Sequence, residues 1–129
     1  MDGLLLDTDI VSYLVREDER IEPYREIIEG QPANILFVTL AELLRWPYKR
    51  NWGVGRKRRL EEHLRQYQVL APDPEVCENW ARISSLKGKP INYHDAWIAA
   101  TAIKYKLTLV TNNRSDFEHV PGLSWISES

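Results

Sequence analysis

Four carboxylates recur at comparable places along this 129-residue chain. Asp7 closes the leucine run of LLLDTDIVSYL, and Glu42 sits in TLAEL. Asp95 sits in NYHDAWIAATA and Asp116 in TNNRSDF. If they meet in space, each raises the others' pKa and opposes folding. Read along the chain, no Lys or His is assigned to balance them. A hard divalent cation relieves such repulsion, and an all-oxygen set suits Mg²⁺ or Mn²⁺ rather than zinc. One or two such ions lower the pKa of a bound water and neutralise charge on a phosphoryl transition state. An acidic pocket of this kind therefore points to phosphate chemistry. Thr111 and Asn112 can hold the water or a metal-bound oxygen; equally, Thr111 finishes a strand and Asn112-Asn113 make a turn.

Each acid also has a local explanation. Thr39 and Glu42 fit a capping box. Asp95, three residues after Asn92, suits a helix dipole. Asp116 can start a short helix or turn. Asp7 and Asp9 can cap a helix beginning near Ile10, or Thr8 or Asp9 can be the cap while Asp7 faces the site. His63, His94 and His119 lack an HxxxH or HExxH spacing. His94, beside Asp95, reads as a surface or packing residue, with support of the acids as the alternative.

The elements that must position these groups follow from apolar patterning. Five short apolar segments read as strands: Gly3–Asp7, Asn34–Val38, Gln68–Leu70, Leu107–Thr111 and Leu123–Ile126. Their continuity suits strands covered on both faces. Helices are predicted over Gly55–Tyr67, with Leu60, Leu64 and Tyr67 as its apolar stripe, over Asp73–Leu86, and over Tyr93–Lys106. Asp73 fits an N-cap and Pro74 the first helical position, with Gly88 past the end. Trp46, before Pro47, marks a helix end. Trp80 and Trp97 read as core. Alternating strands and helices predict an α/β/α architecture with a central, mainly parallel sheet. There the C-terminal strand ends and the helix N-termini share one edge, where ligands bind. All four acids map to that edge.

The totals agree with a single domain over residues 1–129. Composition is ordinary, with 43% hydrophobic and 28% charged residues and a net charge of −2. No apolar run approaches the ~20 residues of a membrane helix, and no signal peptide is evident. The one cysteine, Cys77, reads as a small buried hydrophobe and excludes an internal disulfide. A cytoplasmic setting is expected.

On LLLDTDIVSYL, FVTLAELLRW and HDAWIAATAIKYKLTLVTNNRSDFEHVPGLSW, the chain resembles the PIN-domain ribonucleases, specifically VapC-like toxins of toxin–antitoxin pairs. The DxxIAATA segment followed by LVTNxxxDF carries most of the specificity, and the likeness spans essentially the whole chain. It implies a PIN fold, Mg²⁺- or Mn²⁺-dependent RNA cleavage, a homodimer and a VapB-like antitoxin. It also implies that Asp7, Glu42, Asp95 and Asp116 bind metal or metal-bound water, with Thr111 at the family's polar position after the fourth strand. Asp9 falls where the family often has a small polar residue.

One further segment concentrates charge. YKRNWGVGRKRRLEE holds Lys49, Arg50, Arg56, Lys57, Arg58 and Arg59 around Trp52. This suits tracking of RNA phosphates with base stacking; the alternatives are a solvated helix start with an Arg58–Glu62 pair, or contact with an antitoxin or dimer partner. Arg45, one turn from Glu42, can steer phosphate toward the acids. Two other functions fit parts of the chain. LLLDTDIV has the form of the opening motif of haloacid-dehalogenase-like phosphatases, with Asp7 as nucleophile. A non-catalytic RNA- or protein-binding module is the other.

Overall fold

The computed structural model describes residues 3–129, so Met1 and Asp2 of the predicted domain lie outside the described residues. Five parallel strands form one sheet in the order β3-β2-β1-β4-β5. They are β1 (Leu4–Leu6), β2 (Ala33–Leu36), β3 (Gln68–Leu70), β4 (Thr108–Val110) and β5 (Trp125–Ile126). Helices α1 (Thr8–Arg16), α2 (Arg25–Ile28), α3 (Phe37–Lys49), α4 (Val54–Leu64), α5 (Pro74–Ser84), α6 (Tyr93–Tyr105) and α7 (Arg114–Phe117) alternate with them, and a 3₁₀ segment spans Glu19–Tyr24.

Successive side chains of a strand point to opposite faces, and the leucine run shows the consequence. Leu5 joins the core with Leu36, Ala96, Ala99, Ala100, Leu109 and Phe117. Leu4 and Leu6 join Ile10, Val11, Ile35, Leu43, Leu60, Leu64 and Val110 on the other side. Both faces are covered, so unbroken apolar runs are what the sheet requires. The alanines of α6 are fully or almost fully buried, consistent with a helix lying close on the sheet.

The strand order turns at the centre. From β1 the chain steps outward to β2 and β3, then returns to the opposite side of β1 through β4 and β5. Beyond the C-terminal ends of β1 and β4 the connections diverge and leave a crevice, the usual ligand position in such sheets.

Several local expectations are corrected. The second strand stops at Leu36, not Val38, because Leu36 serves as the extended residue before α3 without an intervening loop. Trp46 does not end α3; Pro47 lies inside that helix and is buried, and the chain leaves through Lys49 and a left-handed Asn51. Pro47 has no N–H to give to the carbonyl one turn back, so α3 lacks one backbone bond in its last turn. The predicted Gly55–Tyr67 helix runs Val54–Leu64, although Leu60, Leu64 and Tyr67 are all buried. Cys77 is exposed on α5, since Val76 and Ile83 form that helix's core face. Trp80 and Trp97 stack with ring centroids 4.9 Å apart but are only partly buried. Asp73 caps α5 as expected, accepting from Val76 N at 2.8 Å. Among the described residues no helix is long and apolar enough to cross a membrane.

Gly3 sets the entry to β1. Its φ of +108° suits glycine, and an added Cβ would meet Pro32 O at 2.2 Å. Gly3→Ala is expected to lower stability by about 1–3 kcal/mol, read from urea melts. Gly53→Ala, where a Cβ meets nothing within 4 Å, is expected to change stability by less than about 1 kcal/mol.

Candidate active site

Asp7 stands where β1 meets α1. Its N–H extends the β1–β4 ladder by donating to Val110 O at 3.0 Å. Its side chain is itself the cap of α1, which begins at Thr8 and not near Ile10: Oδ1 accepts from Thr8 N at 2.8 Å. Oδ2 accepts from Thr111 Oγ1, also at 2.8 Å. Thr111, just past β4, is fully buried. Capping and facing the crevice are thus one role for Asp7.

Asp9 binds the same loop from α1. Its Oδ1 accepts from Ile10 N at 2.7 Å, and its Oδ2 accepts from Asn112 N and Asn113 Nδ2, each at 3.1 Å. Asn113 N in turn donates to Thr111 Oγ1 at 3.0 Å. The start of α1 and the three residues after β4 are therefore sewn together by two carboxylates.

Asp95 enters from α6. Asn92 caps that helix, accepting from Asp95 N at 2.8 Å, while Asn92 Nδ2 donates to Asp95 Oδ2 at 2.8 Å. The cap thereby fixes the carboxylate, which is buried. Asp95 and Asp116, the latter on α7, line a hollow of about 370 Å³ with Pro90, Ile91 and Asn92.

Glu42 is not in a capping box. It is the sixth residue of α3, and that helix start has no side-chain cap. Thr39, fully buried, instead meets Thr8 Oγ1 at 2.8 Å and ties α3 to α1. Glu42 reaches the other acids through His94. His94 Nε2 lies 3.2 Å from Glu42 Oε1, and Nδ1 lies 3.8 Å from Asp95 Oδ1. This corrects the reading of His94 as a surface or packing residue. The chain order hid it, because its partner Glu42 lies on another helix; its place beside Asp95 was the available signal.

Charge at this edge is poorly balanced. Burial and the neighbouring charge of Asp9 push Asp7 up to about 7, against the lowering effect of its bonds from Thr111 and Thr8. Asp9 is also raised, first by burial and further by Asp95 and Asp116, while backbone N–H donors pull it down. Asp95, then Glu42, hold His94 above its ordinary value despite its burial. Among the described residues no ion pair joins a Lys or Arg to Asp7, Asp9, Glu42, Asp95 or Asp116. Nor are three His, Cys, Asp or Glu side chains among them gathered as a ready-made metal cage.

A family model for the PIN domain matches residues 4–123. The chain belongs to the PIN-domain family. This membership displaces the haloacid-dehalogenase-like alternative. The PIN chain is similar to a protein of Haemophilus influenzae strain R2866 named Ribonuclease VapC1, 28% identical over 126 residues and 94% of each chain. It is also similar to Ribonuclease VapC2 of Rickettsia felis, 25% identical over 92% of each. Among solved structures, VapBC-1 from nontypeable Haemophilus influenzae matches with a TM-score of 0.79 at 26% identity, over 98% of each chain. DNA-bound VapBC from Salmonella typhimurium matches at 0.76 and 26% identity, also over 98% of each chain.

The basic residues gather elsewhere in this PIN domain. Arg50 lies 4.6 Å over the Trp46 ring and Arg56 3.9 Å over Trp52. Lys57 Nζ donates to Tyr48 OH at 3.0 Å. Arg56 and Arg59 line a groove of about 480 Å³ with Leu14, Val15, Arg16, Trp52, Leu60 and His63. Arg45, Lys49 and Arg58 are exposed. The expected Arg58–Glu62 pair does not form among the described residues.

The raised Asp7 pKa sets a sign for stability. The folded chain holds this proton more tightly than the unfolded one, whose value is 3.8. Below pH 3.8 the difference costs nothing; stability falls as pH rises toward 7, and the full cost remains above it. A shift of this size has a ceiling of roughly 4 kcal/mol. In the presence of chelator, Asp7→Asn is therefore expected to raise the melting temperature by a few degrees at pH 8 and to change it little at pH 4. Equal shifts at both pH values would contradict this electrostatic account.

Proposed function

We propose that this chain is an Mg²⁺- or Mn²⁺-dependent endoribonuclease, the toxin of a VapBC-like pair, hydrolysing RNA phosphodiesters in the cytoplasm. Residues 1–129 act as one domain in this reading, paired as a homodimer and inhibited by a VapB-like antitoxin. The observation that carries it is the set of Asp7, Asp95 and Asp116 at the sheet's crevice, unmatched by Lys or Arg, in a PIN-domain chain similar to proteins named VapC over almost its full length.

The donor set fits a hard divalent ion. Every side-chain donor except His94 is oxygen, and the buried Asp7 carboxylate is charged only at a cost that a nearby cation would remove. Asp7, Asp95, Asp116 and Glu42 would hold one or two ions directly or through water. Bound there, Mg²⁺ or Mn²⁺ supplies positive charge for the phosphoryl oxygens and an acidified water.

The protein's own groups supply the orientation. Thr111 fixes Asp7 by donating to Oδ2, leaving the remaining lone pairs for the crevice. Asn92 fixes Asp95 in the same way. His94 lies between Glu42 and Asp95, which favour its protonated form. The hollow lined by Asp95 and Asp116 would receive the scissile phosphate. Arg45, Lys49, Arg50, Arg56, Lys57, Arg58 and Arg59 would receive phosphates flanking the cut, contributing affinity rather than chemistry.

Purified protein is expected to cleave total RNA in Mn²⁺ and to lose that activity with chelator. Asp7→Asn and Asp95→Asn are each expected to lower cleavage at least about 100-fold and weaken Mn²⁺ binding, with the circular-dichroism spectrum retained. Cleavage by both variants at the wild-type rate would refute the reading. The Arg58→Ala, Arg59→Ala double variant is expected to raise KM several-fold. It should also reduce the slope of log affinity against log salt by about 1.4; an unchanged slope would take these arginines off the RNA path.

A further inference from the structure

Tyr24 is a fully buried phenol on the 3₁₀ segment, among core residues such as Leu6, Ile10 and Val110. Phenylalanine would fill almost the same volume without a polar atom to satisfy. The hydroxyl therefore calls for an account, since an apolar core tolerates it only when its hydrogen bonds are made.

Those bonds lead to the site. Tyr24 OH lies 2.5 Å from Asn112 Oδ1 and 3.3 Å from Thr111 O. A phenol has one proton to give, and the shorter contact takes it. The oxygen also accepts from Glu128 N at 2.9 Å. Asn112 is then held on every side: Nδ2 donates to Tyr13 OH at 3.2 Å, and its backbone N–H donates to Asp9 Oδ2. The next residues continue the chain of bonds, from Asn113 N to Thr111 Oγ1 and from Thr111 Oγ1 to Asp7. One buried hydroxyl thus stands at the head of a polar circuit that ends on two carboxylates.

We propose that Tyr24 is a positioning residue whose hydroxyl clamps Asn112, and through it the Thr111–Asn113 loop that orients Asp7 and Asp9. The catalytic half of this statement rests on the nuclease reading above; the clamp itself does not. Tyr24 touches neither Asp7 nor Asp9 and acts only by limiting where the loop can go. Here the donated bond goes to the loop after β4 and the accepted one comes from the chain after β5.

The test uses the full chain. In metal-free protein, Tyr24→Phe is expected to speed hydrogen exchange of the Asn112 and Asn113 amides about 10-fold, leaving Leu5 and Leu109 within the sheet unchanged. Asn112→Ala is expected to loosen the Asn113 amide similarly, and the double variant no further, as for residues in one network. With Mn²⁺ and a labelled fragment isolated from total RNA, Tyr24→Phe is expected to lower kcat about 10-fold with KM within twofold. Unchanged loop exchange in Tyr24→Phe, additive effects in the double variant, or a loss confined to KM would each overturn the proposal. If Tyr24→Phe melts too early to assay, Tyr13→Phe frees the Asn112 amide group from its other side and carries the same exchange test. A wild-type chain that cleaves no RNA would remove the nuclease reading, while the exchange measurements still decide the clamp.

Discussion

A carboxylate withdrawn from water needs either a cationic partner or a proton. Among the described residues Asp7 has no cationic partner, and burial raises its pKa to about 7, so at neutral pH it is only partly protonated. It is 5% exposed, carries its neighbours' negative charge and receives only neutral donors. Its two hydrogen bonds favour the ionised form, yet burial outweighs them. The surrounding acids compound the imbalance, and His94 lies against Glu42 and Asp95. Stability alone would not select this arrangement, because an uncharged residue at Asp7 would relieve it. Under the proposed metal-dependent reading, a bound divalent cation would relieve the unfavourable electrostatics.

The fold holds that imbalance in place by using the same atoms twice. Asp7 caps α1 and faces the crevice. Asn92 caps α6 and grips Asp95. Thr111 ends β4, receives Asn113 N and donates to Asp7. Asp7 and Thr111 lie where a strand delivers the chain toward a helix, whereas Asn92 opens α6 in the connection from α5, and helix N-termini favour negative charge. Parallel strand order brings these junctions to one edge, and the turn of that order between β1 and β4 opens the space between them.

Much of this was legible in the residues. Unbroken apolar runs announced a sheet buried on both faces, and the cap at Asp73 was readable from spacing. What resisted was set by tertiary contact. Thr39 and Glu42 have capping-box spacing, but α3 starts at Phe37, so Thr39 turns to Thr8 and Glu42 to His94. Pro47 looked like a stop, but α3 carries it buried in its last turn at the cost of one backbone bond. Cys77 looked buried by type, but the phase of α5 turns it outward. Tyr24 lies 88 residues from Asn112 in sequence, and no local pattern announces a phenol that serves a distant loop.

The separation of charge along α1 explains why the basic segment stands apart from the acids. Asp9 lies in the first turn of α1 and Arg16 in its last, roughly 10 Å apart at 1.5 Å per residue. Each sign sits at the end of the helix dipole that favours it. Arg16 then adjoins Arg56, Arg59 and Trp52 in the groove, while Asp9 adjoins Asn112 and Asn113. Had the arginines packed among the acids, ion pairs would have neutralised both and displaced any metal. Under the proposed reading, cations held a helix length away would keep their charge for a polyanion, and the acids theirs for a divalent ion. The repulsion that makes Asp7 costly is preserved by the same helix that positions it.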